Sequence, residues 1–124
     1  MKRIEVACGV VLNEKGQYLI AERGDRAHNG KWEFAGGKLK DYESPFEAIQ
    51  RELKEELNIS VQPKSELLRY TFKDYLLIFI ECKYLSGEIE LTEHNTVKWV
   101  FLNELKNYEF LEGDKNFIEK INIV

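Results

Sequence analysis

Two cysteines and two prolines are all that 124 residues contain of either type. Cys8 and Cys82 are too few for a disulfide framework and share no metal-ligand spacing, so reduced, buried thiols are expected. The scarcity of proline, with only eight glycines, leaves no low-complexity or disordered tract. No apolar run approaches the roughly 20 residues that span a bilayer. The short "VACGVVL" behind Lys2 and Arg3 follows Glu5 and lacks a convincing small-residue cleavage pattern, so it reads as a strand rather than a signal peptide. Positive charge is also short: 18 Lys and Arg against 22 Asp and Glu give a net charge of -4 and a pI near 5.3. Such a chain has no general attraction for a nucleic-acid polymer or an anionic membrane. If it handles a phosphate compound, a cation has to mediate. These absences suit a cytoplasmic protein, monomeric or homodimeric.

What is present is the 44% apolar and 32% charged content of an ordinary globular protein. One domain over residues 1–124 is the simplest organisation. "RIEVACGVVL", "NEKGQ" and "YLIAER" read as a hairpin, with strands over residues 3–12 and 18–22. "GDRAHNG" is a loop and "KWEFA" a short return to apolar character before Gly36-Gly37. Ser44 as N-cap, Pro45 at the first helical position and Glu47 as capping-box partner open a helix over residues 44–57. Its buried stripe is Phe46, Ile49, Leu53 and Leu57. "LLRYTF", "YLLIFIECKYL" and "TVKWVFL" read as strands, with Ser86-Gly87 turning into a short strand "EIEL". "NELKNYEFL" and "DKNFIEKINI" read as helical. The order predicts a mixed α/β domain rather than repeated parallel βαβ units.

At about 100° per residue, Glu52, Glu55 and Glu56 share one face of the first helix. Ala48, one turn earlier, leaves room in front of them, and Lys54 points to the far side. Like charges so placed repel, and more strongly in a cleft that excludes water. Mg2+, or Mn2+, answers that chemistry: hard divalent ions take few carboxylates plus water and complete their shells with substrate phosphates. Taken alone, "RELKEEL" is equally an exposed helix on which Arg51 and Glu55 form an i, i+4 pair.

Spacing adds what composition does not. From Gly37 the chain runs five residues to Glu43, seven more, then Arg51-Glu52-Leu53-Lys54-Glu55-Glu56-Leu57-Asn58-Ile59. This resembles the Nudix box, Gly-x5-Glu-x7-Arg-Glu-U-x-Glu-Glu-x-Gly-U with U apolar, departing only at Asn58. Asparagine is the residue after glycine that best tolerates the left-handed conformation of a helix end. Gly36-Gly37 is expected to turn sharply and offer a carbonyl to a metal. "GVVLNEKGQYLIAER" and "KWEFAGGK" extend the similarity to MutT-like Nudix hydrolases, and Ala35 resembles the CTP pyrophosphohydrolase branch.

The resemblance implies a Nudix fold, with a mixed, partly antiparallel sheet between helices and the box as loop-helix-loop. It implies a Mg2+-dependent reaction, NTP + H2O to NMP + pyrophosphate. CTP, dCTP or a modified deoxynucleotide is the expected substrate; 8-oxo-dGTP diphosphatase and a non-catalytic Nudix-like module are the alternatives. The metal would be held by Gly37, Glu52, Glu55 and Glu56. Glu52, then Glu93, would orient or deprotonate water, and Arg51 with Glu43 would brace the acids. Arg23 and Lys38 would take phosphates. Phe34 and Phe72 are candidates to stack on the base, and Asp74, Tyr75 and Asp114 to read its edge. Asp114 reads equally as a helix cap, and Phe34 as core. His28 and His94 lack a partner at metal-ligand spacing and read as surface imidazoles.

Overall fold

The computed structural model describes residues 3–121. Strand β1 (Ile4–Leu12) alternates side chains between two apolar layers and forms the middle of a seven-stranded sheet. It pairs in parallel with β6 (Tyr75–Ser86) along its whole length, from Ile4 opposite Tyr75 to Leu12 opposite Lys83. On its other side it meets β4 (Gly36–Lys38) and β2 (Tyr18–Arg23), both antiparallel. β3 (Trp32–Glu33) and β7 (His94–Val100) pair with β2, and β5 (Ser60–Phe72) pairs with β6. The mixed sheet expected from the sequence is therefore present.

Helix α1 (Pro45–Leu57) buries Ile49, Leu53 and Leu57 against Ala7, Val11, Ile78 and Ile80 on one face. A 3-10 helix (Leu102–Asn107) and α2 (Glu112–Lys120) cover the other, where Leu105 and Phe117 meet Val10, Ile20 and Phe79. Gly9 lets α1 settle on the sheet: a Cβ there would lie 3.0–3.2 Å from Leu53 and Ile49. No described helix is long and apolar enough to cross a membrane.

Several elements depart from expectation. Phe46 lies on the α1 stripe but is 38% exposed; periodicity gives a direction, not a neighbour to pack against. Ala48 is fully buried in the core, so its short side chain serves helix–sheet approach rather than space before the acids. "EIEL" is not a strand. Its backbone is tied instead to the end of α1, where Glu90 N–H donates to Leu57 O at 3.1 Å and Asn58 Nδ2 to Glu88 O at 3.1 Å. β5 begins at Ser60, well before "LLRYTF"; Pro63 masked it, and proline is tolerated because β5 is the sheet's edge. "NELKNYEFL" is helical only over its 3-10 portion, and α2 starts at Glu112. The end of "DKNFIEKINI", at 122–123, lies outside the described residues. Cys8 and Cys82 are buried free thiols, as expected.

Candidate active site

The capping box sets the start of α1, and thereby the height at which its acids stand. Glu47 N–H donates to Ser44 Oγ at 3.2 Å, and Ser44 N–H donates to Glu47 Oε1 at 2.9 Å. The helix stops at Asn58, whose φ of 60° and ψ of 32° are the left-handed values expected of that position.

Arg51 then acts as a brace. Its Nε and Nη2 donate to the two Glu43 oxygens at 2.5 and 2.9 Å, and Nη2 also reaches Lys38 O at 3.1 Å. Nη1 donates to Glu52 Oε1 and Glu55 Oε1, each at 2.8 Å. One guanidinium thus fastens the loop before the helix to two acids on it. It holds the Glu43 carboxyl down near 2. Glu52 packs its carboxylate on Gly37: a Cβ at that glycine would sit 2.3 Å from Glu52 Oε2. The double glycine forms β4 instead of the sharp turn expected, and both glycines serve close approach.

Glu56 receives no such help. Its side chain is 9% exposed, and burial, followed by the neighbouring Glu52 and then Glu33 and Glu93, raises its pKa from the ordinary 4.5 to about 9. A pKa raised on folding stabilises the fold below the unfolded value, and that contribution is lost as pH rises through the folded one. Without divalent cation, Tm should therefore fall between pH 6 and 9. Millimolar Mg2+ should raise Tm more at pH 9 than at pH 6, because the cation replaces the proton. Thermal scans over this range, with and without EDTA, check both signs.

His94 overturns the surface reading given to it, although His28 does lie exposed, on Asp25 at 2.8 Å. His94 opens β7 opposite Arg23, with its side chain 2% exposed. Its Nε2 meets Glu33 Oε2 at 2.7 Å, and its Nδ1 is 4.0 Å from Glu56 Oε1. Glu33 and His94 were both missed. The available signal was the period-two alternation of β3: Trp32 and Phe34 enter the α2-side core, so Glu33 has to point toward α1. Glu33, Glu56 and His94 place one ligand atom each within 4.8 Å of one another.

A cleft of about 590 Å3 begins at Gly37. Of the proposed site residues, Arg23, Lys38, Phe34, Phe72, Tyr75 and Asp114 line it, together with Glu33. Arg23 is itself tethered, through Nε to Asp25 at 2.8 Å and Nη1 to Glu33 at 3.1 Å. Asp74 does not line the cleft; it sits on the exposed β5–β6 turn, where its carbonyl accepts from Ile4 N–H. The Phe34 ring is spent in the core, stacked on Phe110 at 5.6 Å and edge-on to Phe117 at 5.7 Å, which removes it as a base platform. Asp114 caps nothing: Leu111 is the N-cap of α2. Its Oδ1 accepts from Phe34 N–H at 3.0 Å, and burial, with Glu33 nearby, raises its pKa well above the carboxylate range. A larger groove, about 1190 Å3, runs between the 3-10 helix and α2 but contains none of the α1 acids.

Gly37 thus joins two arrangements, a braced row of carboxylates and a cleft with cations on its wall and a buried polar group on its floor. The row suits hard divalent cations by donor type and by its uncompensated member, Glu56.

Comparison with known proteins agrees with this architecture. A NUDIX domain model matches residues 1–121. The chain is 34% identical to the 8-oxo-dGTP diphosphatase of Escherichia coli K12 over 98% of each chain. It is 29% identical to the CTP pyrophosphohydrolase of the same organism, over 96% of this chain and 91% of that one. The MutT structure from a study of Aliivibrio salmonicida and Vibrio cholerae superposes with a TM-score of 0.79 and 30% identity, covering 97% of both chains. The chain belongs to the NUDIX family of hydrolases, among its MutT-like members.

Proposed function

We propose that the protein is a divalent-cation-dependent nucleoside triphosphate pyrophosphohydrolase, converting NTP and water to NMP and pyrophosphate. CTP, dCTP or a modified deoxynucleotide is its substrate. The observation that carries this reading is the Glu52 carboxylate packed on Gly37 beside buried Glu56, at the edge of the cleft. Glu52, Glu55, Glu56 and the Gly37 carbonyl would hold Mg2+ or Mn2+. Bound there, the cation neutralises the polyphosphate and acidifies a water.

The chain's own residues supply position and proton transfer. Glu52, fixed between Arg51 and Gly37, orients the attacking water and takes its proton; Glu93, on the exposed loop before β7, is the second candidate. Arg51 and Glu43 keep the acids in place without touching substrate. Arg23 and Lys38 take the phosphates. Phe72 and Tyr75 offer aromatic surface to the base, and Asp114 reads its edge.

Burial, with Glu33 nearby, raises the Asp114 pKa and so favours its protonated form, which offers one donor and one acceptor. That pair matches N3 and the amine of cytosine. It matches equally O6 and N1–H of a guanine form, and the Escherichia coli 8-oxo-dGTP diphosphatase favours this second reading. Asp114→Asn keeps an acceptor for Phe34 N–H but makes the other group a permanent donor. It should change the kcat/KM ratio between CTP and 8-oxo-dGTP by about tenfold or more. A panel of CTP, dCTP, 5-methyl-dCTP, 8-oxo-dGTP and ADP-ribose measures it. An unchanged order would reduce Asp114 to a packing residue, and no turnover of any member with Mg2+ or Mn2+ would end the enzyme reading.

A further inference from the structure

Buried imidazoles normally satisfy both ring nitrogens, and His94 satisfies one. Among the described residues, its Nδ1 is the one buried side-chain nitrogen or oxygen without a hydrogen-bond partner. Leaving a buried polar atom unpaired is costly, so such an atom calls for an explanation.

The tautomer follows from geometry. Glu33 Oε2, 2.7 Å from Nε2, accepts a hydrogen bond, and this places the proton on Nε2. Nδ1 then bears a lone pair. A second proton would find no acceptor within hydrogen-bond reach, since the Glu56 oxygen is 4.0 Å away. The lone pair therefore faces a carboxylate across a gap that neither a direct hydrogen bond nor a van der Waals contact fills. Two ligands each about 2.0–2.2 Å from a shared ion lie at most about 4.4 Å apart, so this gap accommodates one cation. A carboxylate behind the imidazole, fixing its tautomer and raising its basicity, is the usual support of a metal-bound histidine. Glu33 stands in that position, and Arg23 Nη1 tethers its other oxygen at 3.1 Å.

We propose that His94 Nδ1, oriented by Glu33, is a direct ligand of a divalent cation shared with Glu56, giving this site a nitrogen donor and a preference for Mn2+ or Co2+ over Mg2+. Imidazole suits first-row transition ions, whereas Mg2+ demands oxygen. The inference deepens the proposed function by naming the cation class, and rests on Glu56 being a ligand. It also accounts for the pairing of a buried histidine with a buried acid in a chain with only two histidines.

The test uses the nucleotide-free full chain with Mn2+ as the probe. Electron spin echo modulation of the bound ion should show 14N coupling from one imidazole, and the signal should vanish in His94→Gln. By titration, that variant should lose at least about tenfold in Mn2+ affinity and under threefold for Mg2+. Glu33→Gln, which retains an acceptor for Nε2–H, should keep the nitrogen signal and bind Mn2+ more weakly; it covers the case in which His94→Gln does not fold. Bound Mn2+ without 14N coupling in the unaltered protein, or coupling that persists in folded His94→Gln, overturns the proposal. Pyrophosphate release in Mg2+ separates the two readings: turnover without nitrogen coupling sinks the ligand assignment alone, and coupling without turnover of any nucleotide sinks the hydrolase reading alone.

Discussion

Glu52→Gln is expected to lower kcat by at least about 1,000-fold while leaving the protein folded. The substitution conserves shape. Its amide oxygen still accepts from Arg51 Nη1, now at 2.8 Å, and the side chain still fits against Gly37. What it loses is charge and basicity. A positioned general base contributes roughly 100- to 10,000-fold, and a lost cation ligand adds to that. KM should change less than kcat, since Arg23 and Lys38 on the cleft wall are untouched. Without cation the variant should be no less stable, because Glu56 is relieved of its nearest carboxylate. Glu93→Gln, on an exposed loop, should cost about 10- to 100-fold. Pyrophosphate release from both variants ranks the two acids: a Glu52→Gln enzyme within tenfold of the unaltered one would transfer the role of base to Glu93.

The acids of α1 could be read in advance because they depend on one local element whose start and stop are written in its residues. Ser44, Glu47 and Asn58 fix phase and length, and a helix carries side chains at known angles. The same kind of reading failed for His94. Nothing near it in sequence says that β7 lies beside β2, that β3 lies on the other side of β2, or that Glu33 consequently meets His94 across 61 positions of chain. Phe34 and Asp114 are a similar case: one is core and the other is held to its backbone over 80 positions, a juxtaposition made by α2 closing the far side of the sheet. Sequence periodicity states which way a side chain points. Only topology states what it meets, and the polar contacts that connect acid row to cleft are all of the second kind.

The neighbouring glycines separate fold from chemistry by one residue. Gly36 pairs with Cys8 and Gly37 with Ala7 in the same short ladder, so their side positions alternate across the sheet. A Cβ on Gly36 would lie 1.9 Å from Ala7 O and 2.9 Å from its carbonyl carbon, both main-chain atoms of the central strand. Neither can yield without breaking β1 from β4, so Gly36→Ala should cost at least about 3 kcal/mol, beyond ordinary overpacking, and leave little folded protein. A Cβ on Gly37 would instead strike the Glu52 carboxylate, the movable end of a side chain. Gly37→Ala should therefore fold, with Tm lowered by only a few degrees, but swing Glu52 off its seat and away from Arg51 Nη1. Misplacing a catalytic group by about 1 Å costs on the order of 100-fold. Soluble yield and Tm report the first variant, and kcat on a well-folded sample the second. If Gly37→Ala kept full activity, the contact between that glycine and Glu52 would have no part in the chemistry, and the observation on which the proposed function rests would be lost.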